Sequence, residues 1–180
     1  MPHLPRLLVL CLALVLTVPA VAAASGERLP STSVLGGGFK TVKTFDIPAS
    51  SVVKFQPGVA ASSVASASVR EFRRRTRAKV TETAFVGVYV FKDPGASSAY
   101  FNGATSTFSG AGSVATEKIG EASAARRSTY SIDDRRKRSV QLLYLKGNEV
   151  WEVSVVRARS KPRPSVGTVV GIARRNAARG

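Results

Sequence analysis

Residues Arg138 to Arg157 read RSVQLLYLKGNEVWEVSVVR, two alternating apolar runs on either side of a Gly-Asn pair. Period-two alternation marks a half-buried strand, and a two-residue glycine break between two such runs marks a β-hairpin. With Gly147 and Asn148 as the turn, Lys146 faces Glu149, Tyr144 faces Trp151, Leu142 faces Val153 and Val140 faces Val155. That register leaves one face wholly apolar. The other mixes Gln141, Glu152 and Ser154 with Leu143, Leu145, Val150 and Val156, and is expected to be less fully buried. Glycine leads because the first central position of a type II′ turn needs positive φ, and the facing Lys146 and Glu149 can close the turn electrostatically.

The apolar face of the hairpin needs a cover, and the residues after it supply one. Lys161-Pro162-Arg163-Pro164 breaks the strand, Ser165 caps a final helix, and Val166, Val169, Val170, Ala173 and Ala177 lie on one stripe. Arg174, Arg175 and Arg179 occupy other faces or the last turn, where cations suit the helix dipole. Packing on the sheet is the expected use, ahead of lying on a membrane.

Upstream, Ala84 to Phe91 (AFVGVYVF) reads as a buried strand, and residues 72 to 80 as its neighbour. In an extended 72 to 80 segment, Arg73, Arg75, Arg77 and Lys79 project to one face and repel unless an anion meets them. An edge strand whose cations fan into water is the plain alternative. Asp93-Pro94 starts a helix to about Thr107, with Ala96, Ala99, Tyr100, Gly103, Ala104 and Phe108 as its packed stripe. Val114 to Ile119 and Arg126 to Ile132 read as two moderate strands, and Asp133 to Arg138 as a polar loop into the hairpin. Lys40 to Ile47 reads as an edge strand ended by Pro48, and residues 58 to 70 as a short, weakly amphipathic helix. Gly36-Gly37-Gly38 lacks the Gly-Lys-Ser/Thr frame of a phosphate loop and reads as a hinge. Hairpin then helix thus recurs, around 72 to 108 and 138 to 179. The fold class is α+β, an antiparallel sheet covered by two or three helices.

Residues 1 to 24 carry Arg6, an apolar run from Leu7 to Val18, a Pro19 break and small residues at Ala22 and Ala24. This is the pattern of a secretory signal peptide cleaved before Ser25, and the run falls short of the ~20 residues that span a bilayer. A lipoprotein would need its cysteine at the cut, whereas Cys11 lies inside the run. The expected organisation is therefore a signal peptide (1–24), a Gly/Pro/Ser-rich leader with an edge strand (25–58) and one α+β domain (59–180), secreted or otherwise outside the cytoplasm.

Cleavage would remove the only histidine, His3, and the only cysteine, Cys11. A mature chain without either excludes a Cys/His zinc site, a thiol nucleophile, a serine-histidine triad and an internal disulfide. No metal or cofactor is expected. The formal net charge of +16 is almost untouched by cleavage, since Arg6 is the only Lys or Arg in the segment. Such a charge steers a protein towards anionic polymers or anionic membrane surfaces, and guanidinium groups suit phosphate and carboxylate because they bond in pairs. The candidate anion-binding residues are Arg70, Arg73, Arg75, Arg77, Lys79, Arg126, Arg127, Arg135, Arg136 and Arg138. Nucleic acid fits poorly, because aromatics are not interleaved with the charge and export separates the two. A carboxylate-based hydrolase outside the cytoplasm is the alternative, although the acids sit at caps, turns and ion-pair positions with no acidic pair in an apolar setting.

The order of Gly120-Glu121-Ala122, following strand residues, Leu145-Lys146-Gly147-Asn148-Glu149-Val150 and a closing helix resembles a broad set of secreted or lipid-anchored bacterial domains. Extracellular sensor-like domains of actinobacterial receptor kinases and PsbP-like folds are similar in this sense, over about residues 70 to 180. The resemblance implies binding of a ligand or envelope component, and no catalytic residue travels with it.

Overall fold

In the computed structural model, which describes residues 28–77, 79–108, 112–132 and 135–179, the chain runs β1 (Phe39–Asp46), α1 (Ala49–Val52), β2 (Val64–Thr76), β3 (Lys79–Phe91), α2 (Pro94–Ser106), β4 (Ser113–Val114), β5 (Ala122–Ile132), β6 (Arg135–Lys146), β7 (Glu149–Ala158) and α3 (Val166–Ala177). The signal-peptide segment lies outside the described residues. All strands join one antiparallel sheet in the order β1-β2-β3-β7-β6-β5-β4. The hairpin forms in the register read from its alternation, with Lys146 opposite Glu149 and Tyr144 opposite Trp151. Gly147 has φ +59°, as the turn demands.

The hairpin lies at the centre of the sheet, between β3 and β5, and this decides its burial. Val140, Leu142, Tyr144, Trp151, Val153 and Val155 meet Val169, Ile172 and Ala173 of α3, so the final helix covers the apolar face as expected. Its buried stripe is Val169, Ile172, Ala173 and Asn176, and Ser165 caps it by accepting from Thr168 N. The mixed face is buried as well: Gln141, Leu143, Leu145, Val150, Glu152, Ser154 and Val156 are all below a tenth exposed. The expectation of a wetter face fails because α2 packs Tyr100, Phe101 and Ala104 against Tyr89, Phe91, Leu143, Leu145 and Val150. The helix starts where Asp93 accepts from Ala96 N. Its packed stripe includes Phe101 and leaves Ala99 exposed. The molecule is thus a helix, a sheet and a helix in three layers. The two hairpin-then-helix units put their helices on opposite faces, so one is not a rotated copy of the other.

Other readings need correction. Residues 58–70 form no α-helix; after a 3-10 turn at Ala61–Ser63 they enter β2. Their serines favour other conformations over helix, and pairing with β1 and β3 gives an extended chain two sets of hydrogen bonds. β4 is only Ser113–Val114, and the second expected strand starts four residues early at Ala122. The segment Arg135 to Arg138 is strand, because β5 and β6 stay paired out to Ile132 and Arg135. The edge strand stands where expected, as β1. The triple glycine leads into this strand, whereas a phosphate loop leads into a helix. The leader packs into the α3 layer, with Leu29 and Leu35 in the same core cluster as α3 and Arg175 Nε donating to Val34 O at 2.8 Å.

Candidate anion-binding site

A 13-residue strand is roughly 43 Å long, whereas a 13-residue helix is roughly 20 Å. Helix α2 therefore covers only the half of its face near the β6–β7 turn. The other half, where the β2–β3 turn, the start of β6 and the end of β7 meet, holds an open cleft of about 520 Å³. Its floor includes Phe85 and Val156, and Arg73, Arg135, Lys137 and Arg157 line it together with Glu71, Glu82, Thr81 and Thr83.

Two carboxylates hold cations at this end of the sheet, Glu71 on the face of the cleft and Glu82 on the α3 face behind its margin. Glu71 accepts from Arg73 Nε at 2.5 Å, the two residues lying on one face of β2. Glu82, 2 % exposed, sits between Arg157, which donates from Nε and from a terminal nitrogen at 2.8 Å each, and Arg74 at 3.1 Å. Arg74 also lies over the Phe39 ring, 4.4 Å from its centroid. One charge thus fixes two guanidinium groups and leaves a net positive site. Among the described residues no carboxylate pairs with Arg75, Arg77, Lys79, Arg135, Lys137, Arg138, Arg159 or Lys161, all of which lie at this end of the sheet.

The sequence candidates divide accordingly. Arg73 and Arg135 line the cleft, and Arg75 stands beside it at the end of β2. The four cations from Arg73 to Lys79 do not form one strand face: β2 ends at Thr76, its register shifts between Arg74 and Arg75, Arg77 sits in the turn at φ +47°, and Lys79 begins β3. They crowd one end of the sheet by way of a turn. Arg127, Arg136 and Arg138 reach the α3 face instead, by strand alternation.

Arg126 is internal, and Arg70 is half-buried and tied to the leader. Arg70 donates to Leu29 O, Pro30 O and Thr44 Oγ1 at 3.1, 2.9 and 2.9 Å, clamping the leader to the sheet; burial, then the charge of Arg179, lowers its pKa. Arg126 is 4 % exposed and belongs to a polar chain crossing four strands. Tyr89 Oη donates to Glu152 Oε2 at 2.9 Å, Gln141 Nε2 to Glu152 Oε1 at 2.8 Å, and Arg126 Nε to Gln141 Oε1 at 2.8 Å. The Arg126 guanidinium also lies 4.6 Å from the Phe108 ring centroid, just past the C-terminal end of α2. Sequence reasoning missed Lys137 and Arg157. The first was findable, since it follows Arg135 by two positions and shares its face; the second depended on Glu82, distant in sequence.

By fold and site this is a three-layer α+β domain with a basic cleft at the open end of its sheet. No protein-family model matches the chain, and no curated protein is similar to it in sequence. In structure it is similar to the extracellular domain of PknH from Mycobacterium tuberculosis, with 8% identity, 87% of this chain and 90% of that chain covered, and a TM-score of 0.51. It also matches an uncharacterised protein from Mycobacterium smegmatis at 10% identity over 82% of this chain and 91% of that one, with a TM-score of 0.38. At such identities the likeness concerns fold. No helix among the described residues is long and apolar enough to cross a membrane, and no group of three or more His, Cys, Asp or Glu among them is placed to hold a metal.

Proposed function

We propose that the protein is an exported, non-enzymatic domain that binds an anionic polymer of the cell envelope at the basic end of its sheet. One observation carries this: cations from three chain segments meet around a cleft whose two carboxylates already have guanidinium partners. Like charges that outnumber the carboxylates beside them are stabilised by an anionic ligand. The cleft favours a chain with protruding anionic groups over a flat lipid surface. Export rests on residues 1 to 24, and N-terminal sequencing of protein from outside the cytoplasm is expected to begin at Ser25.

Binding to purified envelope polyanions and to anionic vesicles, followed over a range of salt concentrations, tests the reading. About four contacts at about −0.7 each predict a log-log salt slope near −3. Exchanging Arg75, Arg77, Arg135 and Lys137 for glutamine should remove most of that slope and preserve the fold, since surface exchanges cost little stability. Equal slopes for the two proteins would reject the cleft, and tighter binding to vesicles than to polymers would move the partner to the membrane.

A further inference from the structure

On the opposite face of the sheet, we propose that Arg127, Arg138 and Arg163 form a second site that binds a single phosphate group. This inference does not rest on the cleft. Arg138 faces Thr129 across β5 and β6, and Arg127 faces Val140, two residues further along. Arg127 and Arg138 are therefore diagonal neighbours on one face, roughly 7–8 Å apart at the backbone. The third guanidinium lies over the same spot: Arg163 donates to Ser128 O at 2.9 Å, to Ser139 O at 3.3 Å and to Thr129 Oγ1 at 3.1 Å. Ser128 and Ser139 are themselves register partners, which fixes Arg163 between the two strands, beside both other arginines.

Nothing acidic among the described residues compensates this cluster. Arg157, directly opposite Arg138 on β7, has Glu82 as its partner, and Glu82 serves Arg74 besides. Burial, then the charges of Arg138 and Arg127, lowers the pKa of Arg163. Pro162 and Pro164 flank Arg163 and restrict its backbone, so it cannot easily swing away. If Arg163 only tied the loop before α3 to the sheet, the two arginines beside it would weaken the tie. Around a phosphate dianion, three guanidinium groups become an asset, each offering paired N–H donors to the oxygens. Two to three positive charges match a dianion better than a carboxylate.

The test is a titration of the purified protein with inorganic phosphate, with glycerol phosphate and with short polyphosphate, following the arginine Nε–H resonances by NMR. The site predicts saturable shifts at Arg127, Arg138 and Arg163. The double variant Arg127→Gln, Arg138→Gln should bind at least about tenfold more weakly, a loss of one charge-assisted bond or more. Should that variant fail to fold, Arg127→Gln alone, which changes an exposed side chain, should show the same direction. Saturation by inorganic phosphate marks a site for the free ion, and saturation by the ester or polymer alone marks a site for a carried phosphate. Linear shifts with all three, equal shifts in the variants, or shifts confined to Arg73 and Arg135 would overturn the proposal.

Discussion

Tyr144 shows how one side chain ties the sheet to its covering helix and makes the tie depend on pH. It is fully buried, its ring stacks 6.2 Å from that of Trp151, and its hydroxyl accepts from Asn176 Nδ2 at 2.8 Å. Burial raises its pKa well above the ordinary phenol value; the Asn176 bond opposes the rise and the charge of Glu149 adds to it. Unfolded, the same phenol ionises near about pH 10. Above that pH the unfolded chain has lost a proton that the folded chain keeps, so stability falls as pH rises through the window between the two values. Urea midpoints from pH 8 to 11 should show this decline, and Tyr144→Phe should flatten it. At neutral pH the same change should cost about 1–2 kcal/mol, because the buried Asn176 amide loses an acceptor. An unchanged alkaline slope would assign the decline to other groups.

Among the elements, β5, β6, β7 and β3 are linked by the chain Arg126, Gln141, Glu152 and Tyr89. Breaking one member of a buried charged network costs more than replacing the network with apolar groups. Glu152→Ala should therefore cost about 3–5 kcal/mol in urea unfolding, and combining Glu152→Leu with Arg126→Met should recover much of the loss. Strictly additive costs would show that the two charges do not communicate through Gln141. This network was hidden in the sequence. Arg126 looked like a surface cation because Arg127, Ser128 and Thr129 follow it, and only the pairing of β5 with β6 and the cover of α2 turned it inward. Gly120 stood out as a turn residue, but the contact that requires it did not. Its φ is +64°, and a Cβ there would collide with Leu145 O, where the backbone of Glu121 docks on the hairpin.

For the whole molecule, the formal net charge of +16 is unevenly placed, and its crowding at one end of the sheet works against folding. Salt screens such repulsion, so the thermal midpoint should rise from low to moderate NaCl. The cleft variant lacking Arg75, Arg77, Arg135 and Lys137 should start higher and respond less; a midpoint that falls with added salt would mean that the surface ion pairs outweigh the repulsion. The amino-acid sequence by itself determined the central hairpin and its register, the capped starts of α2 and α3, and the α+β class. These follow from local rules: period-two alternation, a glycine at the turn, and Asp93 or Ser165 beside free backbone N–H groups. It also determined that the protein is strongly basic. Only the tertiary structure decided where the charge acts. The β2–β3 turn at Arg77 carries no glycine or asparagine to announce it, so the arginine run read as one straight strand. Antiparallel pairing then brought Arg73, Arg135 and Lys137 to one end, and the short reach of α2 left them open to solvent. Such convergence depends on partners far apart in the chain, and local patterning carries no record of it.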